Sequence, residues 1–314
     1  MIDFRYHVVS IVAVFLALAL GLFIGATSLR GTVKGDITTR TESVVHNNAK
    51  LRSENSDLQS QLSRAQSFDS ALQPYALRSS LVGQSVVVVS APGVDNNMRK
   101  DVLTALGQSG ATLAGDVRLQ DALLDPDQDE FLGTLADKLA LNDRPLPNAA
   151  GAVRAIALLS DVLVTNAQRP PVSRGAAAKV VSAYDAGNLL SVSGDQPQQA
   201  NLAILLAAPA PTSGDVSVAA QQQSLLATLA RDLDRGALGA VVAGPASADA
   251  TGGLLDVVRG DKGLRDNVST VDGVDVPSGV IATVLAAAEQ ARGDSGSYGS
   301  GPGADEPLPS PSPS

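Results

Sequence analysis

The sequence predicts an α/β protein: an N-terminal transmembrane helix and coiled-coil stalk, followed by a mainly parallel open sheet with helices on both faces. Three observations lead there. Val8–Ile24 reads VVSIVAVFLALALGLFI, an almost unbroken apolar run. Ile37, Val44, Leu51, Leu58, Ala65 and Leu72 recur every seven residues. From about Leu81, short β-branched runs alternate with amphipathic stretches, the pattern of a sheet covered by crossover helices.

The apolar run comes first. Ser10 is its polar interruption, and extension to Leu29 satisfies the roughly 20 residues that a hydrocarbon core demands. Residues 1–30 are therefore expected to be a membrane anchor. A cleaved signal peptide is the rival, with Gly25, Ala26, Thr27 and Ser28 as a small-residue cleavage region. The run is long for a signal peptide, which favours a retained anchor. Arg5 precedes the span and Arg30 and Lys34 follow it, so flanking charge orients it weakly. The bulk of the chain is expected outside the cytoplasm. Ala13, Ala17, Gly21 and Gly25 recur every four residues on one helix face, a spacing that lets two backbones approach closely in lipid.

Residues 31–75 are expected to form a stalk. The heptad column Ile37 to Leu72 would be its core. The companion column is poorer: Thr41, Asn48, Asn55, Leu62 and Asp69. Polar residues at such positions weaken a coiled coil but set its register. The alternative is a single solvated helix. Small-residue face and heptad together predict a homo-oligomer. His46 lies off the column and reads as solvated, and Pro74 is expected to end the segment.

Residues 81–292 carry the α/β pattern. Strands are expected at Ser85–Ser90, Thr112–Val117, Asn188–Val192, Leu202–Ala207, Ala240–Ala243 and Val268–Val271. Helices are expected at Asn96–Ser109, Asp129–Leu141, Ala152–Leu159, Ser173–Ala186, Ser217–Asp234, Ala248–Val258 and Pro277–Ala291. Asp125–Pro147 and Val162–Val172 read as mixed stretches, either insertions or mobile loops. Gly293–Ser314 is rich in Gly, Ser and Pro and is expected to be a disordered tail, above all from Gly299 onward.

Composition removes several function classes. The chain has no Cys among its 314 residues, so thiolate metal sites, disulfides and Cys nucleophiles are excluded. Its formal charge of −9 disfavours a phosphate backbone, so no nucleic acid partner is expected. Its two His, His7 and His46, both precede the α/β region, so no Ser-His-Asp triad can be built there. No GxGxxG follows the first strand, and P-loop, GxSxG and HExxH motifs are missing. Neither a cofactor nor a catalytic residue is expected. The remaining candidates sit in turns after strands: Ala91-Pro92-Gly93, Gly194-Asp195, Ala208-Pro209 and Gly244-Pro245. In an open parallel sheet such turns line the carboxyl edge, where ligands bind. Asp95 and Asp195 are the polar residues there, although Gly and Asp are also ordinary turn formers. Asp272 and Asp275 offer two carboxylates to a hard cation, far short of a calcium shell, and a solvated turn is the plainer reading.

Three stretches carry a family resemblance. They are AVFLALALGLFIG (Ala13–Gly25), LVGQSVVVVSAPG (Leu81–Gly93) and VSTVDGVDVPSGVIATVLAAAEQARGDSGSYGSG (Val268–Gly301), in that order. Together they resemble the actinobacterial copper-transport outer-membrane protein family of the MctB type. The resemblance implies a membrane-associated protein of the cell envelope in copper homeostasis, a channel that limits intracellular copper, with the copper ion as its cargo. Copper favours Cys, Met and imidazole donors, and beyond the anchor this chain offers Met98, His46 and carboxylates. A β-barrel would need many segments of about ten residues in strict alternation. The strands here are short and fully apolar, so a pore would have to arise by oligomerisation. A coiled-coil scaffold that presents an α/β domain to an envelope protein partner, without touching copper, is the alternative. A small-ligand receptor at the carboxyl edge is a third.

Overall fold

The computed structural model describes residues 4–169, 171–212 and 214–310, with side chains at all of these except 4–5 and 28–45. It divides into two units, Met1–Ala65 and Gln66–Ser314. Helix α1 (Phe4–Leu77) supplies the first unit and the opening turns of the second. Within it Tyr6–Thr27 is long and apolar enough to cross a membrane, with a mean hydropathy of 2.8. Pro74 lies inside α1 rather than ending it. The missing N–H costs one helical bond, but barely a turn remains, and that turn delivers Leu77 into the core.

The second unit is an α/β fold with a seven-stranded sheet of order β3-β2-β1-β4-β5-β6-β7. The strands are β1 (Ser85–Ser90), β2 (Thr112–Leu119), β3 (Leu190–Val192), β4 (Leu202–Leu206), β5 (Gly239–Ala243), β6 (Ser269–Val271) and β7 (Ser297–Tyr298). All neighbours pair in parallel except β3, which runs antiparallel to β2. The helices are α2 (Asn96–Ser109), α3 (Asp129–Leu139), α4 (Gly151–Leu163), α5 (Arg174–Ala186), α6 (Val216–Gly236), α7 (Leu254–Gly260), α8 (Lys262–Arg265) and α9 (Pro277–Gln290).

Alternation along the strands splits the core into two layers. Val87 and Val89 of β1, with Leu205 and Val242, face α3 to α7. Val86 and Val88, with Ile204 and Val241, face α2, α9 and the end of α1. Because both faces are covered, the central strands are apolar at nearly every position, as parallel sheets require. Ala, Val and Leu dominate the packing, and close approach replaces bulk. A Cβ on Gly151 would lie 1.9 Å from the Asp129 carbonyl, so α4 can lie on α3 only with glycine there. The Asp129 carboxylate then accepts the amides of Gly151 and Ala152 at 3.0 and 2.9 Å, capping α4 from a neighbouring helix. Tyr184, fully buried on α5, donates its hydroxyl to the Ala155 carbonyl at 2.9 Å.

Several expectations change. The helix read across Ala248–Val258 is a 3₁₀ turn, Ala246–Asp249, and then α7, because Gly252-Gly253 interrupts it. Asp125–Pro147 contains α3, and Val162–Val172 contains the end of α4, so neither stretch is wholly a loop. The largest change concerns the tail. Ser297–Tyr298 forms β7 with both side chains buried, and Tyr298 bridges to Glu306. Gly293 to Ser310 is therefore not a disordered tail; the segment from Ser297 to Glu306 is a strap laid on the sheet edge. The final residues, 311–314, lie outside the described part.

Candidate functional site

The sheet reverses its winding between β1 and β4, and a ligand crevice would open at their carboxyl ends. Here the crevice is closed. Ala91 donates its amide to the Leu206 carbonyl at 2.9 Å, and a Cβ on Gly93 would already touch the Ala208 side chain at 3.4 Å. Asp95 is the N-cap of α2, accepting from the amides of Asn97 and Met98 at 2.8 and 3.0 Å. Its carboxylate occupies the helix terminus where a phosphate would otherwise sit. Asp95 therefore has a structural task.

Asp195 does not join it. Because β3 is antiparallel, the chain leaving it runs back along β2: Ser193 bonds Asp116 and Gln198 bonds Ala114. Asp195 lies between them, exposed, at the amino edge of the sheet. The expectation that the two aspartates share one crevice is corrected by the direction of a three-residue strand.

The carboxyl edge of β5 and β6 is occupied by the chain itself. Arg259 of α7 is buried there and faces two buried carboxylates, Asp249 at 2.8 Å and Asp272 at 3.1 Å. It also donates to Thr270 Oγ1 and the Tyr298 carbonyl, both at 2.9 Å. The carboxylates hold the strap in turn. Asp272 accepts the amides of Ser300 and Gly301 at 2.8 and 3.0 Å, and Asp249 accepts that of Gly303 at 3.2 Å. Gly299, at φ +131°, passes so close to Asp272 that a Cβ would collide with its carboxylate. The Tyr298 hydroxyl donates to the buried Glu289, and burial first, then that bond, pushes its pKa up.

Asp272 is thus neither a solvated turn nor half of a cation site. Its companion Asp275 accepts instead from the Ala246 amide at 3.4 Å. A second buried pair, Arg99 with Asp116, ties α2 to β2. On α4, Asp161 receives Arg144 and Arg169 at 3.1 and 3.0 Å. These charges fasten elements to one another. Among the described residues no group of three or more His, Cys, Asp or Glu is placed to hold a metal ion. His46 is exposed on α1, and Met98 is buried on α2 beneath the closed crevice.

Along the anchor, Ala17, Gly21 and Gly25 line a shallow apolar face together with Val14, Leu18 and Leu22, while Ala13 lies outside it. Of the heptad column, Ile37 and Val44 lie outside the residues whose side chains are described. Leu51, Leu58, Ala65 and Leu72 are exposed on α1. The heptad reading gave no place to Phe68 and Tyr75, which stand beside Leu72 on the same helix end. Their signal was present: they sit three residues from the column, on the side opposite Asp69. A groove of about 320 Å³ runs between Asp69, Leu72 and Ala76 of α1, α9 and the strap, with Phe68 and Tyr75 outside it.

Comparison with known proteins places these features in one lineage. Residues 1–309 match the family described as copper transport outer membrane protein, MctB. The copper transporter MctB of Mycobacterium tuberculosis H37Rv is 27% identical over 315 residues, covering 97% of this chain and 98% of that protein. The protein of the same name from Mycobacterium bovis gives the same values. That of Mycobacterium leprae is 28% identical over 335 residues, with the same coverage. The match runs from the membrane-length helix through the sheet to the strap, so the chain belongs to the MctB family of copper transport proteins.

Proposed function

We propose that this protein is a membrane-anchored envelope component that helps copper leave the cell or limits intracellular copper, and that it does so as a scaffold without ligating the ion. The observation that carries the reading is the family match, which spans the membrane-length helix and the α/β unit together. The anchor is retained, and the α/β unit lies outside the cytoplasm. A homo-oligomer forms through the Ala17–Gly21–Gly25 face and the heptad column, and the oligomer presents its α/β units to another envelope protein. The donor set supports a scaffold: His46 is solvated on the stalk, Met98 is buried, and the buried carboxylates are engaged with arginines. Copper favours soft or imidazole donors over such carboxylates.

The test is cell-associated copper under copper load, in a strain lacking this chain and in its parent. Higher copper in the deletion, reversed by the restored gene, is the expected result. Equal copper in both removes the homeostasis role.

A further inference from the structure

Among the described residues, the Lys and Arg side chains that are not exposed are Arg99, Arg118, Arg144, Arg154, Arg231 and Arg259. Five of the six face an aspartate across an ion pair. Arg118 of β2 does not. It is half-buried, and neither an ion pair nor a hydrogen bond engages its side chain among the described residues. In a chain of formal charge −9, a cation withdrawn from solvent without an acid beside it is the exception.

The strand register says what surrounds it. Val117 and Leu119 point into the layer facing α3 to α7, so Arg118 points to the opposite face, the side of α2. It stands there in one row with its register partners, Ser90 of β1 and Ser191 of β3. Ser90 is 2% exposed, and its hydroxyl has no hydrogen-bond partner among the described residues. Ser191, half-buried, accepts from Gln120 Nε2 at 3.2 Å, which leaves its own proton free to donate. Two residues back along β2, Asp116 pairs with Arg99, yet Asp116 Oδ1 and Arg99 Nε remain unmatched. Of the six buried side-chain polar atoms without a hydrogen bond among the described residues, four belong to Ser90, Arg99, Asp116 and Arg118. Folds rarely leave such atoms unmatched, and four at one place call for a further partner.

We propose that this row is an oxyanion site, in which Arg118 and Ser191 receive one phosphate or carboxylate group. The planar fork of a guanidinium matches two oxygens of either group. An anion that fixes the fork lets the buried Arg118 Nε donate to Ser90 Oγ behind it, so both atoms gain a partner. Arg99 and Asp116 cancel, and Arg118 leaves the cluster with one net positive charge. That charge suits a single anionic group and repels a copper ion. The site is separate from the closed crevice between β1 and β4, because β2 is the other neighbour of β1. It stands on the α/β unit alone and needs neither the stalk oligomer nor the copper role.

The test is calorimetric titration of the full chain in detergent with sodium phosphate and, separately, sodium acetate, each against sodium chloride at equal ionic strength. Saturable binding of phosphate or acetate at one site per chain is expected, with no such response to chloride. The probe that binds more tightly names the group. Arg118→Gln should weaken binding at least tenfold, while Lys262→Gln, an exposed cation on α8, leaves it unchanged. Ser90→Ala should weaken it several-fold and keep the ligand-free thermal midpoint, because the hydroxyl it removes has no partner to lose. This second variant keeps the test decisive should Arg118→Gln fail to fold. Binding that survives undiminished in Arg118→Gln or in Ser90→Ala would overturn the assignment of the site. A response to neither probe, or one matched by chloride, would overturn the proposal and leave water as the partner of these atoms.

Discussion

Leu18 of α1 and Leu158 of α4 are the same residue in regions that treat it oppositely: the first is 64% exposed, the second fully buried. In the α/β unit the Ala, Val and Leu of the central strands are covered on both faces of the mainly parallel sheet, and its buried charges are used internally, as the pairs of Arg99 with Asp116 and of Arg259 with Asp249 and Asp272. Along the anchor every described apolar side chain is exposed. Apolar area left in water costs about 25 cal/mol per Å², and a span as long and apolar as Tyr6–Thr27 fits lipid rather than water. The difference teaches that the α/β unit buries most of its apolar residues within itself, whereas the described apolar side chains of the anchor find no cover within the chain.

Breaking the α/β unit should have the largest effect. Arg259→Ala leaves Asp249 and Asp272 buried without their cation and releases the strap. A loss of about 3–5 kcal/mol is expected, read as a fall in the denaturant midpoint. A change under about 1 kcal/mol would mean that the strap is not fastened by this cluster. The anchor should be insensitive to such a change but sensitive to charge. Leu18→Arg, in the middle of Tyr6–Thr27, is expected to cost about 3 kcal/mol of insertion. It would move much of the chain out of the alkali-washed membrane fraction while the melting of the α/β unit stays the same.

Smaller effects sharpen the comparison inside the α/β unit. Asp95→Ala removes the cap of α2 and should cost about 1 kcal/mol. Asp195→Ala, at an exposed turn on the other edge, should stay within about 0.5 kcal/mol. Equal costs would contradict their assignment to different edges. The smallest concerns Asp234 near the end of α6, whose pKa burial raises from 3.8 to about 6 against the Ala240 amide and Arg235, which lower it. The folded state then holds this proton more tightly than the unfolded chain does. Its stabilisation is full below about pH 4 and is lost as pH rises through about 6. Asp234→Asn should flatten that decline, with a gain of a few tenths of a kcal/mol at pH 7, because the group is partly solvated.

Much of the fold was legible because its signals are local. Four consecutive valines marked β1, and the amphipathic run with Met98, Val102, Leu103 and Leu106 on one face marked α2; both elements have the predicted bounds. The direction of β3 was not legible, because Leu-Ser-Val reads alike in either sense and its pairing depends on β2, some 70 residues earlier. For the strap, the Gly/Ser-rich composition pointed the wrong way. What fixes it are Asp249, Arg259 and Asp272, whose partnership exists only after β5, α7 and β6 have assembled. The same three residues explain why the carboxyl edge, a reasonable place to look for a ligand, holds chain there. Asp272 looked like a turn residue because its sequence neighbours are Gly273 and Asp275, whereas its structural neighbours lie far along the chain.

The central claim, a copper role exercised without copper ligation by this chain, is tested most directly by cell-associated copper in a deletion strain. That strain would be complemented either with the wild-type chain or with a variant carrying His46→Ala and Met98→Leu. The account predicts that the deletion accumulates copper under load and that both chains restore the parental level equally. Restoration by the wild type alone, with the variant stably present in the membrane, would contradict it and place a copper donor on the chain itself.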